Sequence, residues 1–256
     1  MLFDVSGKVA LITGSSRGIG RAIAERMAEA GAKVVISSRK ADACTAVADA
    51  IVAKGGKAIA HAASISDRAA LQGLVDRTLE EWGRIDVLVC NAAVNPYFGP
   101  LLSITDDAFD KIMASNVRSN IWLCQMVVPQ MVERGEGSVI VISSIAGIKG
   151  NAMLGAYGIS KAADFQLVRN LAVEYGPSNV RVNAIAPAII RTDFARRLWE
   201  DPEIYAAAVK NYPLRRIGEP DEIAGAAIFL ASKAGAFMTG QVLVIDGGMT
   251  IGGSEH

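Results

Sequence analysis

The chain has 256 residues, 51% of them hydrophobic, and its 26 basic and 26 acidic side chains cancel to a formal net charge of zero. That length and apolar content suit one large α/β domain with a substantial core and exclude a disordered chain. With the charge balanced and no run of like sign, there is no electrostatic footprint for a nucleic-acid or membrane-surface partner.

The opening stretch, Met1–Thr13, lacks the basic and uninterrupted apolar regions of a signal peptide, and no apolar run reaches bilayer length. Short, nearly continuous apolar runs read as strands at Val9–Thr13, Lys33–Ser38, Lys57–Ala63, Ile85–Cys90, Ser138–Ser144, Arg181–Pro187 and Val242–Asp246. Such runs are expected of parallel strands covered on both faces. Helical patterns lie between them. Ile19, Ile23 and Met27 form one apolar stripe, closed by Gly31. Leu71, Leu74, Val75 and Leu79 form a second, with Ser66 placed to cap it; Phe165, Val168, Leu171, Ala172 and Tyr175 form a third, ended by Gly176-Pro177. Asp106, Asp107 and Asp110 read as a charged first helical turn. Strand and helix alternate without repeat or linker. The expectation is a single domain over 1–256: a Rossmann-type, doubly wound, seven-stranded parallel sheet with helices on both faces.

Cys44, Cys90 and Cys124 are widely spaced and unpaired by any CxxC pattern, so neither a disulfide framework nor a zinc site is expected. Cys90 reads as a buried strand residue and His61 as an ordinary strand residue, and no metal is expected. A reducing cytoplasm is the expected location, and the C-terminal Ser254-Glu255-His256 does not match a peroxisomal SKL address.

The first strand runs into Thr13-Gly14-Ser15-Ser16-Arg17-Gly18-Ile19-Gly20 and then a helix. Glycines here let the chain turn tightly and bring backbone N–H groups to a diphosphate at the positive end of the helix. The spacing, G-x-x-x-G-x-G, taken alone also fits an ordinary glycine-rich loop; its place between first strand and first helix favours the phosphate cradle. At the end of the second strand, NAD enzymes usually carry an acid that binds the adenosine ribose. Here Ser38 stands at that place, Arg39 follows, and no acid comes before Asp42. A guanidinium binds a 2′-phosphate that a carboxylate would repel, so NADP(H) is the expected cofactor. Arg17 reads either as a second charge for it or as a solvated surface side chain.

Ser144 is followed thirteen positions later by Tyr157 and four after that by Lys161. The last two lie one turn apart on one helix face, so they can meet the same ligand. Together with the Thr13–Gly20 loop, Asn91-Ala92-Ala93, Asn116 and Ile245-Asp246-Gly247-Gly248, this ordered set resembles the single-domain short-chain dehydrogenases/reductases over the whole chain. A looser likeness is to the NADP(H)-dependent carbonyl reductase and retinol dehydrogenase/reductase branch. It rests on Ser37-Ser38-Arg39-Lys40, Asn91 through Pro96, Ser143 through Ala146 and Arg215 through Pro220.

The resemblance implies catalytic roles for Asn116, Ser144, Tyr157 and Lys161. Tyr157 would be the acid or base, Ser144 a donor to the reacting oxygen, and Asn116 the holder of a water that links Lys161 to solvent. Lys161 would supply positive charge and bind the nicotinamide ribose. A phenol has a reference pKa of about 10, and bringing one toward neutrality takes roughly 3 to 4 kcal/mol, which adjacent positive charge can supply. Ser143 is the competing serine; the spacing to Tyr157 selects Ser144. Cofactor contacts are implied for Gly14, Ser16, Arg17, Gly18, Ile19, Gly20, Ser38, Arg39, Ser64, Ile65, Asn91, Ala92, Ala93, Tyr157, Lys161, Pro187, Ile190 and Thr192. The chain departs from the commoner family pattern at Ser64, where an Asp usually stands, and at Cys90, Ala93 and Ala188.

A segment over about 189–216, with Phe194, Leu198, Trp199 and Tyr205 among charges, is expected to form a helical lid. With Tyr97, Phe98, Met153 and Leu154 it implies an apolar pocket for a hydrophobic ketone, aldehyde or alcohol. Trp199 reads equally as a residue packing the lid onto the body. A homotetramer is the family expectation. The rival readings are an NAD-linked alcohol dehydrogenase of the same fold and a nucleotide-sensing Rossmann protein without catalysis.

Overall fold

The computed structural model describes residues 1–252, so the Ser254-Glu255-His256 tripeptide lies outside the described residues. Its strands are β1 Val9–Thr13, β2 Lys33–Ser37, β3 Lys57–Ala60, β4 Val87–Cys90, β5 Gly137–Ile142, β6 Val180–Pro187 and β7 Val242–Ile245. All pair in parallel, in the order β3-β2-β1-β4-β5-β6-β7. The helices are α1 Gly18–Glu29, α2 Ala41–Ala53, α3 Arg68–Trp82, α4 Asp106–Met113, α5 Ser119–Arg134, α6 Gly155–Tyr175, α7 Pro202–Val209 and α8 Pro220–Ala231.

Each strand feeds alternate residues to two cores, because successive side chains point to opposite faces. Ala10 and Ile12 join Val34, Ile36, Val87, Val89 and Ile140 beneath α1, α2 and α8, where Ile23, Met27, Val47 and Ile223 pack. Leu11, Val35, Leu88, Val139 and Val141 point the other way, onto Leu71 and Leu74 of α3, Leu123 and Val127 of α5, and Phe165 and Val168 of α6. Most strand residues are fully buried, which is why the sequence shows continuous apolar runs rather than alternation.

Several boundaries differ from the sequence reading. β5 stops at Ile142 rather than Ser144, because Ser144 turns out to cap a short 3₁₀ turn over Ile145–Gly147, its hydroxyl accepting from Ala146 N at 3.1 Å. β3 stops at Ala60, leaving His61 just past its end. The cap of α3 is Asp67, not Ser66: a carboxylate accepts from both Ala69 N and Ala70 N, whereas the Ser66 hydroxyl lies 3.4 Å from Ser115. α6 begins at Gly155, so Tyr157 sits inside its first turn. Gly31 does follow α1 with φ +89.

The segment read as a lid is helical, a 3₁₀ turn over Asp193–Leu198 followed by α7. Its two ends are tied together and to the start of the next connection: Ile189 N donates to the hydroxyl of buried Tyr212 at 3.2 Å, and Ile190 bridges Gly218. Glu222 receives both Arg216 Nη1 at 2.7 Å and Nη2 at 2.6 Å, and closes a capping box with Glu219. The Arg216 guanidinium holds this carboxyl down to about 2. A depressed carboxylate contributes stability above its ordinary range and loses it as pH falls through its folded value. Replacing Glu222 with Gln is therefore expected to lower the melting temperature near neutrality by an amount that vanishes toward pH 2. Both partners are more than a third exposed, so solvent limits the loss to about 1 kcal/mol. Thermal melts of both proteins from pH 7 to 2 check it; a constant gap is the contrary result. Among the described residues no helix is long and apolar enough to cross a membrane.

Candidate active site

The strand order reverses between β1 and β4, the place where open α/β sheets bind ligands beyond the carboxyl ends of their strands. A 340 Å³ cleft lies there. A clasp joins the two strands below it: Thr13 Oγ1 accepts from Asn91 N at 3.1 Å and Ala92 N at 3.2 Å, and Asn91 Nδ2 donates to Thr13 O at 2.8 Å. Ser15 ties the loop to β2, donating to Ile12 O at 2.7 Å and accepting from Ser37 N at 2.9 Å.

Two glycines are sterically required. Gly14 turns with φ +66, and a methyl on Gly20 would stand 2.5 Å from Asn91 Nδ2 and 2.6 Å from Gly14 O. The first turn of α1 carries no acid and no side-chain cap, so its N–H groups stay available to an anion. Glycine loop, clasp and uncapped helix together fit a dinucleotide diphosphate.

The cleft gathers most of the residues expected to hold that cofactor: Gly14, Ser16, Arg17, Gly18 and Ile19 from the loop and first turn of α1, Ser38 and Arg39 just past β2, Ser64 and Ile65, Asn91 through Ala93, Tyr157, Lys161 and Thr192. Gly20, Pro187 and Ile190 do not line it; the last two are buried behind it. Arg39 is exposed on the rim and pairs with no acid among the described residues. Arg17 lies 3.8 Å from Asp193 of the lid, largely solvated. Sequence reasoning missed Lys111, which α4 turns into the lining, and the serine that lines the cleft is Ser143, the one set aside, while Ser144 and Asn116 lie outside the lining.

At the inner end of the cleft, Lys161 is 2% exposed, with Nζ 5.7 Å from the Tyr157 ring centroid. Nζ donates to Ile142 O at 3.0 Å and to Asp164 Oδ2 at 3.1 Å. Burial pushes the Lys161 ammonium down, but the charge and hydrogen bond of Asp164 outweigh it and leave the group above the ordinary lysine value. The two serines separate clearly. Ser143 is buried and donates to Lys161 O at 2.9 Å, whereas Ser144 only accepts, leaving its proton without a protein acceptor among the described residues.

Asn116 sits in a π-helical turn over Ala114–Arg118 between α4 and α5, a distortion frequent at functional sites. Its Oδ1 accepts from Val94 N at 2.8 Å, and its Nδ2 donates to Val94 O at 3.0 Å and Ser160 Oγ at 3.1 Å. The side-chain amide thus pins the Val94 loop to α6. The Phe194 ring lies with its centroid 6.4 Å from that of Tyr157, tilted by 38°, and Gly99 bridges Leu154. Trp199 packs onto the lid stem, donating to Thr192 O at 3.0 Å beneath the Arg191 guanidinium.

A family model described as Enoyl-(Acyl carrier protein) reductase matches residues 14–250. Dehydrogenase/reductase SDR family member 4 from Bos taurus is 41% identical over 247 residues, which cover 95% of this chain and 88% of that protein. The structure of a 3-oxoacyl (acyl-carrier-protein) reductase from Agrobacterium tumefaciens C58 with NADP bound superposes with a TM-score of 0.90 at 37% identity, covering 96% of this chain and 95% of that one. A gluconate 5-dehydrogenase from Burkholderia cenocepacia in complex with NADP and tartrate gives 0.92 at 32% identity, covering 97% of each chain.

Proposed function

Since the chain belongs to the short-chain dehydrogenase/reductase family, we propose that it is an NADP(H)-dependent oxidoreductase that reduces a hydrophobic ketone or aldehyde, or oxidises the matching alcohol. The observation that carries this is the buried Lys161 ammonium set against the Tyr157 ring at the inner end of a cradle built for a diphosphate. When bound, NADP(H) supplies or accepts the hydride. Gly14, Gly18 and the free N–H groups of α1 hold its diphosphate, Arg39 its 2′-phosphate, and Lys161 and Thr192 its nicotinamide end.

The rest falls to the chain's own side chains. In reduction the Tyr157 hydroxyl gives its proton to the carbonyl oxygen; in oxidation its phenolate takes the alcohol proton. The Lys161 charge favours the phenolate that each cycle forms or consumes. Ser144, with its proton uncommitted, donates to the same oxygen as charge gathers there. Asn116 keeps the Val94 loop fixed to α6, so the wall of the pocket and the acid move as one body.

Phe194, in the cleft lining beside Tyr157, supports an apolar substrate. Two cations of the neighbouring segment are already paired, Arg191 with Glu219 at 2.9 Å and Arg196 with Asp193 at 2.6 Å. A carbonyl and alcohol panel read by NADPH absorbance, with NADH in parallel, tests the proposal. Turnover of hydrophobic carbonyls with NADPH is expected; reaction only with small, highly polar carbonyls overturns the substrate class. The working form is a homotetramer in a reducing cytoplasm. Exposed Val173 on α6 and Phe237 before β7 support the assembly, and three buried free thiols fit the location.

A further inference from the structure

One turn beyond Lys161 on α6 lies a fully buried carboxylate, Asp164. Its Oδ2 meets Lys161 Nζ at 3.1 Å, and its Oδ1 accepts from Asn120 Nδ2 at 3.0 Å. The same Asn120 amide donates to Asn116 O at 2.7 Å, so the carboxylate is anchored to the π-turn on the neighbouring helix. Around it α6 presents Phe165 and Val168 to the core.

A lysine taken out of water gives up its proton unless an opposite charge replaces the lost hydration. Besides Asp164, the Lys161 ammonium holds one carbonyl, Ile142 O. The other ionisable groups acting on it are Tyr157 of its own helix and Cys90 of β4. Hydrogen bonding to Cys124 of α5 and burial push the Cys90 thiol well up, so it stays neutral. Burial pushes the Asp164 carboxyl above the ordinary aspartate value against the pull of Lys161, and its remaining partners, Ser143 and Asn120, carry no charge. Asp164 is therefore the single full counter-charge within reach among the described residues.

We propose that Asp164 is a positioning residue of this site: paired with Lys161 and fixed by Asn120, it keeps Lys161 protonated in a dry setting and holds Nζ between Ile142 O and the Tyr157 ring. The inference rests on the reading of Tyr157 and Lys161 as the proton-handling pair. It explains why an acid occupies the apolar face of α6, and it predicts that the pair acts as one unit with α5.

The test uses Asp164→Asn in the full chain, which keeps the shape and the acceptor for Asn120 and removes the charge. Lysine labelled with ¹³C at Cε is titrated by NMR without cofactor, with Lys161→Met assigning the resonance. Wild-type Lys161 is expected to stay protonated beyond the ordinary lysine value, and in Asp164→Asn its midpoint is expected to fall by about one pH unit or more. Because the lysine then loses its charge as pH rises, kcat for alcohol oxidation should gain a descending alkaline limb at that lowered midpoint. Asp164→Glu should move the limb back up. An unchanged midpoint, with activity lost equally at every pH, overturns the proposal. If Asp164→Asn does not fold, the wild-type titration decides: a Lys161 midpoint below the ordinary value overturns it, one above supports it. The titration needs no turnover, so a chain inactive on every carbonyl would sink the functional reading and leave this one standing on its own measurement.

Discussion

Tyr157→Phe is expected to lower kcat at least about a thousand-fold while NADPH binds as before. General acid–base catalysis typically contributes 10²–10⁴ in rate, and a thousand-fold loss corresponds to about 4 kcal/mol in the barrier. The substitution removes one hydroxyl and leaves the ring, so the contact with Phe194 and the approach of Lys161 Nζ to the ring face both survive. Helix α6 gains no void and loses no backbone bond. The cradle for the diphosphate lies on α1 and the β1 and β4 ends, remote from the lost oxygen. Turnover read by NADPH absorbance and binding read by fluorescence separate the two properties. A variant that binds NADPH and turns over normally contradicts the acid role.

The second large effect concerns cofactor choice. Arg39→Ala is expected to weaken NADPH binding about 10- to 100-fold, because a charge-assisted hydrogen bond is worth about 1.5–3 kcal/mol. NADH, which lacks the 2′-phosphate, should bind much as before. Adding Ser38→Asp should then turn the preference over, since a carboxylate repels the phosphate and accepts from the ribose hydroxyls. The setting favours a clean result. Arg39 is exposed on the cleft rim with no acid partner among the described residues, and Ser38, whose hydroxyl lies 3.1 Å from Cys44 Sγ, is also held by its backbone, Ser38 O accepting from Ala63 N at 3.0 Å. Dissociation constants for both cofactors with each variant check it; equal weakening of NADH and NADPH is the contrary result.

The sheet was legible in the sequence because burial on both faces writes itself as unbroken apolar runs, and seven of them are strands. Their ends were less so. Whether Ser143 and Ser144 extend β5 depends on which hydroxyl finds a partner across the fold, and Ser143 finds Lys161 O on a helix eighteen residues away. The cap of α3 was read one residue early, at Ser66, and the path of the chain gives that place to Asp67. Tyr157 and Lys161 were legible because a one-turn spacing fixes their common face whatever the tertiary setting. Asp164 shows the opposite case. Its meaning comes from α5, through Asn120, and no spacing along one helix announces a partner on another.

The Thr13–Asn91 clasp joins residues 78 apart in the chain. A fragment ending before β4 would carry every glycine of the cradle and still hold no dinucleotide, because its far wall has not arrived. A ligand that occupies this seam binds only the closed chain, so it works as a latch on folding itself. At a hundred times its dissociation constant such a ligand adds about 2.7 kcal/mol to the folded state. Bound dinucleotide thus makes the closed chain harder to unfold, besides giving it something to react with.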